Sequence, residues 1–152
     1  MSLYCFENVR TDEQRAEMAR LDAAGICLFC REHLARHEQQ RIVLSTRHWT
    51  VTPNRFPYPG TNLHMLLIPD QHARDLLELS DEVRADFWVA LAAVAGANEL
   101  RYYGLGVRNG DCRFTGATIE HVHAHVLVGP DDGSAPPVRM RFSAGRRDER
   151  RG

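Results

Sequence analysis

The stretch Ile119-Glu120-His121-Val122-His123-Ala124-His125-Val126-Leu127-Val128 decides how this chain is read. In an extended strand, successive side chains point to opposite faces. His121, His123 and His125 therefore share one face, and Val122, Ala124 and Val126 share the other. Neighbouring imidazoles are expected about 7 Å apart, twice the rise per residue. A strand face turned to water would be served as well by Thr or Arg, so three alternating histidines point to chemistry. Two chemistries fit the pattern: a tris-histidine metal site, or a nucleophilic histidine flanked by helpers.

Just before this strand, Thr115-Gly116-Ala117-Thr118 offers small side chains, hydroxyls and accessible N–H groups, with Asn109-Gly110 upstream. Such a loop can hold a phosphate without lysine. The lesser reading of the loop by itself is an ordinary hairpin connection. The absence of lysine matters, because all 19 residues counted as Lys+Arg are arginine. Neither a Schiff base to lysine nor a Walker A phosphate grip is available. The eight histidines are then the first place to look for acid, base or nucleophilic work.

Further from the triad, the chain is organised as one domain over residues 1–152, long enough to bury a substantial core. Thr11-Asp12-Glu13-Gln14 has the form of a capping box and predicts a helix over 11–22. A turn with Cys27-Leu28-Phe29-Cys30 leads into a short helix over 31–37. Strands are predicted at 41–45, 49–52, 63–68, 104–107 and 120–128, with a weaker one at 138–142. Pro53-Asn54-Arg55-Phe56-Pro57-Tyr58-Pro59-Gly60 must be a shaped loop. Ser80 reads as an N-cap, and Val83, Phe87, Leu91 and Val94 recur at helical spacing, so 81–101 is the longest predicted helix. Strands and helices come in separate groups, which predicts an α+β domain with a mainly antiparallel sheet.

A formal net charge of −1 argues against a nucleic-acid surface. No apolar run approaches the roughly 20 residues of a membrane span, and the first residues do not read as a secretory signal. The expected location is the cytoplasm. The charged tail over 143–152 is expected to be a solvated, flexible end. In a cytosolic chain the four cysteines, Cys5, Cys27, Cys30 and Cys112, are expected to be thiols or metal ligands, and only Cys27 and Cys30 have a telling spacing. A local metal site completed by His33 and His37 is one way to use that pair.

His121-Val122-His123-Ala124-His125-Val126-Leu127 resembles the signature of the histidine triad (HIT) family of nucleotide hydrolases and transferases, His-φ-His-φ-His-φ-φ with φ apolar. Leu63-His64-Met65-Leu66-Leu67-Ile68-Pro69-Asp70-Gln71-His72 is similar to that family's strand, proline and following histidine. The Asn54-Arg55-Phe56-Pro57-Tyr58 loop resembles the nucleoside-contacting loop of the branch with diadenosine tetraphosphate phosphorylases, and loops of galactose-1-phosphate uridylyltransferases. The resemblance covers about 25–129.

It implies two-step transfer, in which His123 attacks the α-phosphorus of a nucleotide and water or another acceptor then takes the nucleotidyl group. His125 would contact the phosphate or assist the leaving group, Thr118 would stabilise phosphate charge, and His64 would support the triad or sit as a core histidine. Asn54, Arg55, Phe56 and Pro57 would contact the nucleoside; Asn109, Gly116, Ala117 and Thr118 would contact phosphate. Ala117 stands where many members carry a phosphate-holding glutamine. Zinc-bearing relatives imply a structural zinc on Cys27, Cys30, His72 and His121, and the family implies a homodimer packed through the long helix and strand edges. Substrates could be nucleoside phosphoramidates, dinucleoside polyphosphates or other nucleotidylated compounds. A nucleotide-binding module without turnover is the alternative on the same fold.

Overall fold

The computed structural model describes residues 2–142. Helix α1 (Asp12–Ala23) opens on the Thr11 side chain, which accepts from the Gln14 N–H. Short helix α2 (Arg31–Leu34) follows the Cys27–Cys30 turn. Strands β1 (Leu44–Ser45), β2 (Trp49–Pro53) and β3 (Leu63–Pro69) lead through a 3₁₀ turn at Leu76–Glu78 to the long helix α3 (Asp81–Ala97). Then come β4 (Gly104–Val107), a helical turn α4 (Cys112–Thr115) and β5 (Ala124–Val128). Among the described residues, five strands form one antiparallel sheet in the order β1-β2-β3-β5-β4. The α+β architecture follows.

Register decides which residues meet. Leu66 and Gly106 both pair with His125, and Met65 and Leu105 with Val126. One face of the sheet (Val51, Leu67, Ala124, Val126) is covered by Val83, Ala90, Leu91 and Val94 of α3. Trp49 is 1% exposed and its indole N–H donates to the Val83 carbonyl at 2.7 Å, pinning the start of α3 to β2. The other face carries the histidines. It is closed by Tyr4, Met18, Leu21, Cys27, Leu28, Phe29 and Leu34, packed on Leu66 and Ile68. The N-terminal segment and the Cys27–Cys30 knuckle therefore wall the histidine face.

Several bounds differ from the sequence expectation. Helix α3 ends at Ala97 rather than 101, because Glu99 takes φ 50° and the Leu100 N–H turns back to the Ala95 carbonyl at 2.9 Å. Such a left-handed residue stops a helix. The β5 ladder starts at Ala124 rather than 120. Continuing the register would put Pro69 opposite Val122, and proline has no N–H to give. Val122 donates instead to the Ala73 carbonyl at 2.7 Å. Residues 138–142 are irregular rather than a strand. The expectation for 143–152 lies outside the described residues.

Cys5 and Cys112 correct the expectation that the cysteines are thiols or metal ligands: they form a disulfide across 107 residues of sequence. The spacing of two isolated cysteines carries no sign of pairing; only the docking of the N-terminal segment beside α4 brings them together. The bond tethers that segment to the loop before the triad, where the Cys5 N–H also donates to the Thr118 carbonyl at 3.0 Å. By chain entropy a loop this long is worth about 4–5 kcal/mol. Thermal denaturation with and without reductant should show a clear drop in Tm on reduction, and an equal drop for Cys5→Ser with Cys112→Ser. A Tm indifferent to reductant would refute the stabilising role.

Candidate active site and metal centre

The face alternation read from the sequence holds through the irregular part of the segment. His121, His123 and His125 are all buried on one face, while Val122, Ala124 and Val126 lie in the α3 core. The His123 and His125 ring centroids are 4.9 Å apart, closer than the backbone spacing alone, because the rings lean together. Phe29 presents itself at a steep angle to the His123 ring with centroids 4.9 Å apart.

Hydrogen bonds assign a protonation state to each ring. His123 Nδ1 lies 2.7 Å from the His121 carbonyl, which can only accept, so Nδ1 carries the proton and Nε2 keeps its lone pair. The Tyr58 N–H donates to His64 Nδ1 at 3.1 Å. The His64 proton is then on Nε2, 2.9 Å from His125 Nδ1. That nitrogen accepts, which leaves the His125 proton on Nε2; these shorter bonds set the tautomers, and Asn54 Nδ2 at 3.2 Å from His64 Nε2 and Arg108 Nη1 at 3.4 Å from His125 Nε2 are then donors facing donors. Burial lowers the His123 pKa to about 4 and the His64 pKa to about 4, and holds His125 well below the ordinary value. All three are neutral at pH 7.

The lowered value at His64 has a consequence for stability. Its folded pKa lies below the unfolded value of about 6.5. Between those values the unfolded chain binds a proton that the folded chain does not, so stability falls as pH drops from about 6.5 towards 4. Urea midpoints measured from pH 7.5 to 4.5 should decline, with a shallower decline in His64→Gln. An identical slope in the variant would contradict the assignment.

A cavity of about 100 Å³ opens in front of His123 and His125. Asn54, Arg55, Phe56, Gly116, Ala117 and Thr118 line it, as the sequence led us to expect. His64 lies behind His125 and not in the wall. Asn54 Oδ1 accepts from the Phe56 N–H at 2.9 Å, which shapes the loop. The Arg55 guanidinium is held by Glu17, at 2.6 and 2.7 Å, and by Gln39 at 2.6 Å. Burial would raise the Glu17 pKa, but its bonds to Arg55 and His37 outweigh this and hold it below the usual value. Arg55 therefore anchors the loop to α1. Two expected residues are not brought to the cavity. Pro57 is exposed, and the Asn109 side chain turns aside to accept from the Leu76 N–H at 2.7 Å.

Asn8, Arg10 and Arg108 went unnoticed in the sequence, and Tyr58 was read only as the end of the nucleoside-contacting loop. Asn8 donates to the carbonyls of Cys112 at 3.0 Å and Ala117 at 2.7 Å, bracing the loop before the triad. Tyr58 lies stacked near His125, with centroids 5.7 Å apart. Arg108 Nη1 reaches 3.4 Å from His125 Nε2, and Arg10 lies over the Tyr58 ring. Only Arg108 had a legible signal: it follows Gly106 by two positions, so it shares the His125 face once β4 is known to pair with β5.

Behind the triad, Cys27, Cys30, His72 and His121 offer ligand atoms that all lie within 4.8 Å of one another. Cys27 Sγ is 3.5 Å from His121 Nδ1, and Cys30 Sγ is 3.4 Å from His72 Nδ1 and 4.0 Å from His121 Nδ1. Tetrahedral zinc with its usual bond lengths separates a sulfur and a nitrogen by about 3.6 Å. His121 Nε2 lies 2.9 Å from the Pro69 carbonyl, so that nitrogen carries the proton and Nδ1 is free to ligate. Burial raises the Cys27 pKa, and burial with the nearby Cys27 raises Cys30 to about 12. A divalent cation reverses that preference by binding thiolates. The donor set therefore fits a closed four-ligand metal ion. His33 and His37 are not part of it: His37 bonds Glu17 at 2.5 Å.

Residues 35–132 match the HIT domain. The chain belongs to the HIT family. Over 74 residues this HIT chain is 34% identical to an adenosine 5'-monophosphoramidase of Schizosaccharomyces pombe, a match covering 49% of the chain and 54% of that protein. The chain thus spans about half the length of that curated relative. Its fold is similar to a HIT family hydrolase from Clostridium thermocellum, with a TM-score of 0.57 and 24% identity over 72% of this chain and 95% of that one. It is also similar to a Zn-bound histidine triad family protein from Mycobacterium smegmatis, with a TM-score of 0.57 and 21% identity over 75% and 82% of the two chains.

Proposed function

We propose that this HIT protein is a nucleotidyl hydrolase or transferase that works through a covalent nucleotidyl-His123 intermediate. The observation that carries this reading is the bond from His123 Nδ1 to the His121 carbonyl, which leaves a neutral Nε2 lone pair in a phosphate-sized cleft. In the first step that lone pair forms a bond to the α-phosphorus. The bond from phosphorus to the leaving group breaks and its electron pair departs with that group. The imidazole becomes cationic, and the carbonyl on Nδ1 stabilises it. Thr118 and the N–H groups of the Gly116–Thr118 loop meet charge on the phosphate oxygens, and the His125 Nε2–H donates towards the same centre. In the second step water or another acceptor attacks phosphorus and releases its proton to solvent, the bond from phosphorus to Nε2 breaks, and its electron pair returns to Nε2 of neutral His123.

The apolar part of the cleft, with Phe29 and Phe56, suits a base, and the adenosine phosphoramidase relative makes an adenine nucleotide the first donor to try. Acid-quenched single turnovers with adenosine phosphoramidate, read by intact mass, should show one nucleotidyl adduct on His123. No adduct with any nucleotide donor, combined with retained binding of mononucleotides, would establish a binding module instead.

We assign zinc to the Cys27, Cys30, His72 and His121 cluster. With four protein ligands it holds structure and leaves no place for a catalytic water. We also assign a homodimer. Strand β4 is a sheet edge, and Tyr102, Tyr103 and Leu105 beside or on it are exposed, as are Trp88 and Val89 on α3. Light scattering should give twice the chain mass for the wild type and the chain mass for Leu105→Arg. A monomeric wild type at micromolar concentration would exclude the dimer.

A further inference from the structure

Beyond the triad the cleft opens into a groove of about 790 Å³. Both are lined by Asn8, Arg10, Tyr58, Arg108 and Gly116, so they form one continuous depression. Its ends differ in chemistry. The inner end carries Leu28, Phe29, Phe56 and Leu66. The outer end carries Arg10, Arg108, Arg139 and Arg141, with Glu7 as its single lining carboxylate among the described residues.

Arg10 and Arg108 are placed with care. Their guanidinium carbons lie 4.7 and 5.6 Å from the Tyr58 ring centroid. Arg108 donates from Nη1 to the Tyr58 hydroxyl at 2.5 Å, and from Nε and Nη2 to the Arg141 carbonyl at 3.1 and 2.8 Å. Arg10 donates to the Phe56 carbonyl. Gly106 makes room for this arrangement: a Cβ there would meet Met140 Sδ at 2.5 Å, so residues 140–142 can lie directly over β4. Every one of these acceptors is neutral. Arg31, Arg47, Arg55, Arg74, Arg84 and Arg113 each have a carboxylate partner. Arg10 and Arg108 have none among the described residues, as is also true of Arg15, Arg20, Arg36, Arg41, Arg101, Arg139 and Arg141; Arg10 and Arg108 differ from these in lining the cleft in front of His123 and His125. Burial lowers the Arg10 pKa, and the charge on Arg108 lowers it further. Arg10 is exposed and Arg108 partly buried; side by side their like charges repel, and a bound anion would offset that repulsion.

We propose that Arg10 and Arg108 form an anion subsite for the leaving group, and that the substrates are nucleotides whose leaving group itself carries phosphate or carboxylate charge. This rests on His123 being the nucleophile. The position follows from the two ends: the apolar end takes the nucleoside, so what departs lies towards the arginines. The chemistry agrees. Neutral His125 holds its Nε2 proton tightly, so it and Arg108 supply hydrogen bonds to an anion rather than a proton to an amine. When the phosphorus–oxygen bond to a phosphate leaving group breaks, the electron pair stays on that oxygen, between Arg108 and His125, and no proton transfer is needed. With an amine leaving group that carries a carboxylate, the P–N electron pair stays on nitrogen, which takes a proton from water; the hydroxide left is the acceptor in the second step, and the arginines hold the carboxylate.

The test compares leaving groups that differ in charge. AMP phosphoramidates of glycine and glycinamide differ by one carboxylate, and a dinucleoside tetraphosphate supplies the phosphate case. The wild type is expected to favour at least one charged donor over the glycinamide donor by about tenfold or more in kcat/KM. That ratio should fall towards one in Arg10→Gln and in Arg108→Gln, whatever happens to absolute rates, and should shrink with added salt. Preference for the tetraphosphate alone identifies phosphate as the recognised anion; preference for glycine identifies carboxylate. Calorimetry gives a readout free of turnover: adenosine 5'-tetraphosphate should bind about tenfold or more tighter than AMP, with the difference lost in both variants. If that holds while no adduct forms, the transfer reading fails and the subsite stands. Equal ratios and equal affinity differences in wild type and variants overturn the subsite.

Discussion

Replacing His123 by alanine is expected to abolish the nucleotidyl adduct and to lower turnover by at least about 10⁴-fold, since loss of a nucleophile removes the covalent route entirely. The fold should survive. The ring is buried against Phe29 and His125, but its Nδ1 bond is to a backbone carbonyl that water can satisfy in the space left behind. Far-UV circular dichroism and mononucleotide binding would therefore remain near wild type while the rate collapses. Residual turnover within a factor of ten of wild type would show that His123 is not the nucleophile. His125→Ala gives a useful contrast. It removes a donor to the reacting phosphate but leaves Nε2 of His123 free, so the adduct should still form, slowly.

Removing the metal is expected to have the second largest effect, on stability and activity together. Structural zinc sites contribute on the order of 10 kcal/mol of apparent binding energy in small zinc-dependent folds. Here the effect reaches the active site through a short chain of bonds. The ion would hold His121 Nδ1, Nε2 is held by the Pro69 carbonyl, and the carbonyl of the same His121 holds His123 Nδ1. Cys27→Ser or His72→Ala should lose the metal by elemental analysis, lower Tm by many degrees and cut kcat more than KM. A tris-histidine metal site on His121, His123 and His125 predicts the opposite for His72→Ala, namely metal retained. Full zinc content in that variant would remove the Cys₂His₂ assignment.

Some of the structure was legible without coordinates because it is periodic. Alternation of two placed the triad on one face, and the helical spacing of Val83, Leu91 and Val94 marked α3 and its buried side. The capping chemistry of Thr11 and Ser80 started two helices where expected. Bounds failed where a non-local or special conformation intervened: Glu99 at positive φ, and Pro69 interrupting the ladder opposite the triad. Candidate residues come together at the cleft where a motif places them, whereas Asn109 and Pro57 lie away from it because the directions of loop side chains depend on contacts elsewhere.

By itself, then, the sequence determined the α+β class, the shared face of three histidines and the pool of metal-binding side chains. Those depend on local periodicity and on residue chemistry, which neighbours along the chain suffice to define. Tertiary structure alone decided which of those side chains meet. It drew Cys27 and Cys30 to His72 and His121, joined Cys5 to Cys112 and aimed Arg10 and Arg108 at the mouth of the cleft. It also chose the tautomers of His64, His123 and His125, through a Tyr58 N–H and a His121 carbonyl. The physical reason is the same in each case. Ligation, disulfide pairing, charge placement and proton position depend on atoms a few ångströms apart in space, and the residues that supply them are up to about a hundred positions apart in the chain.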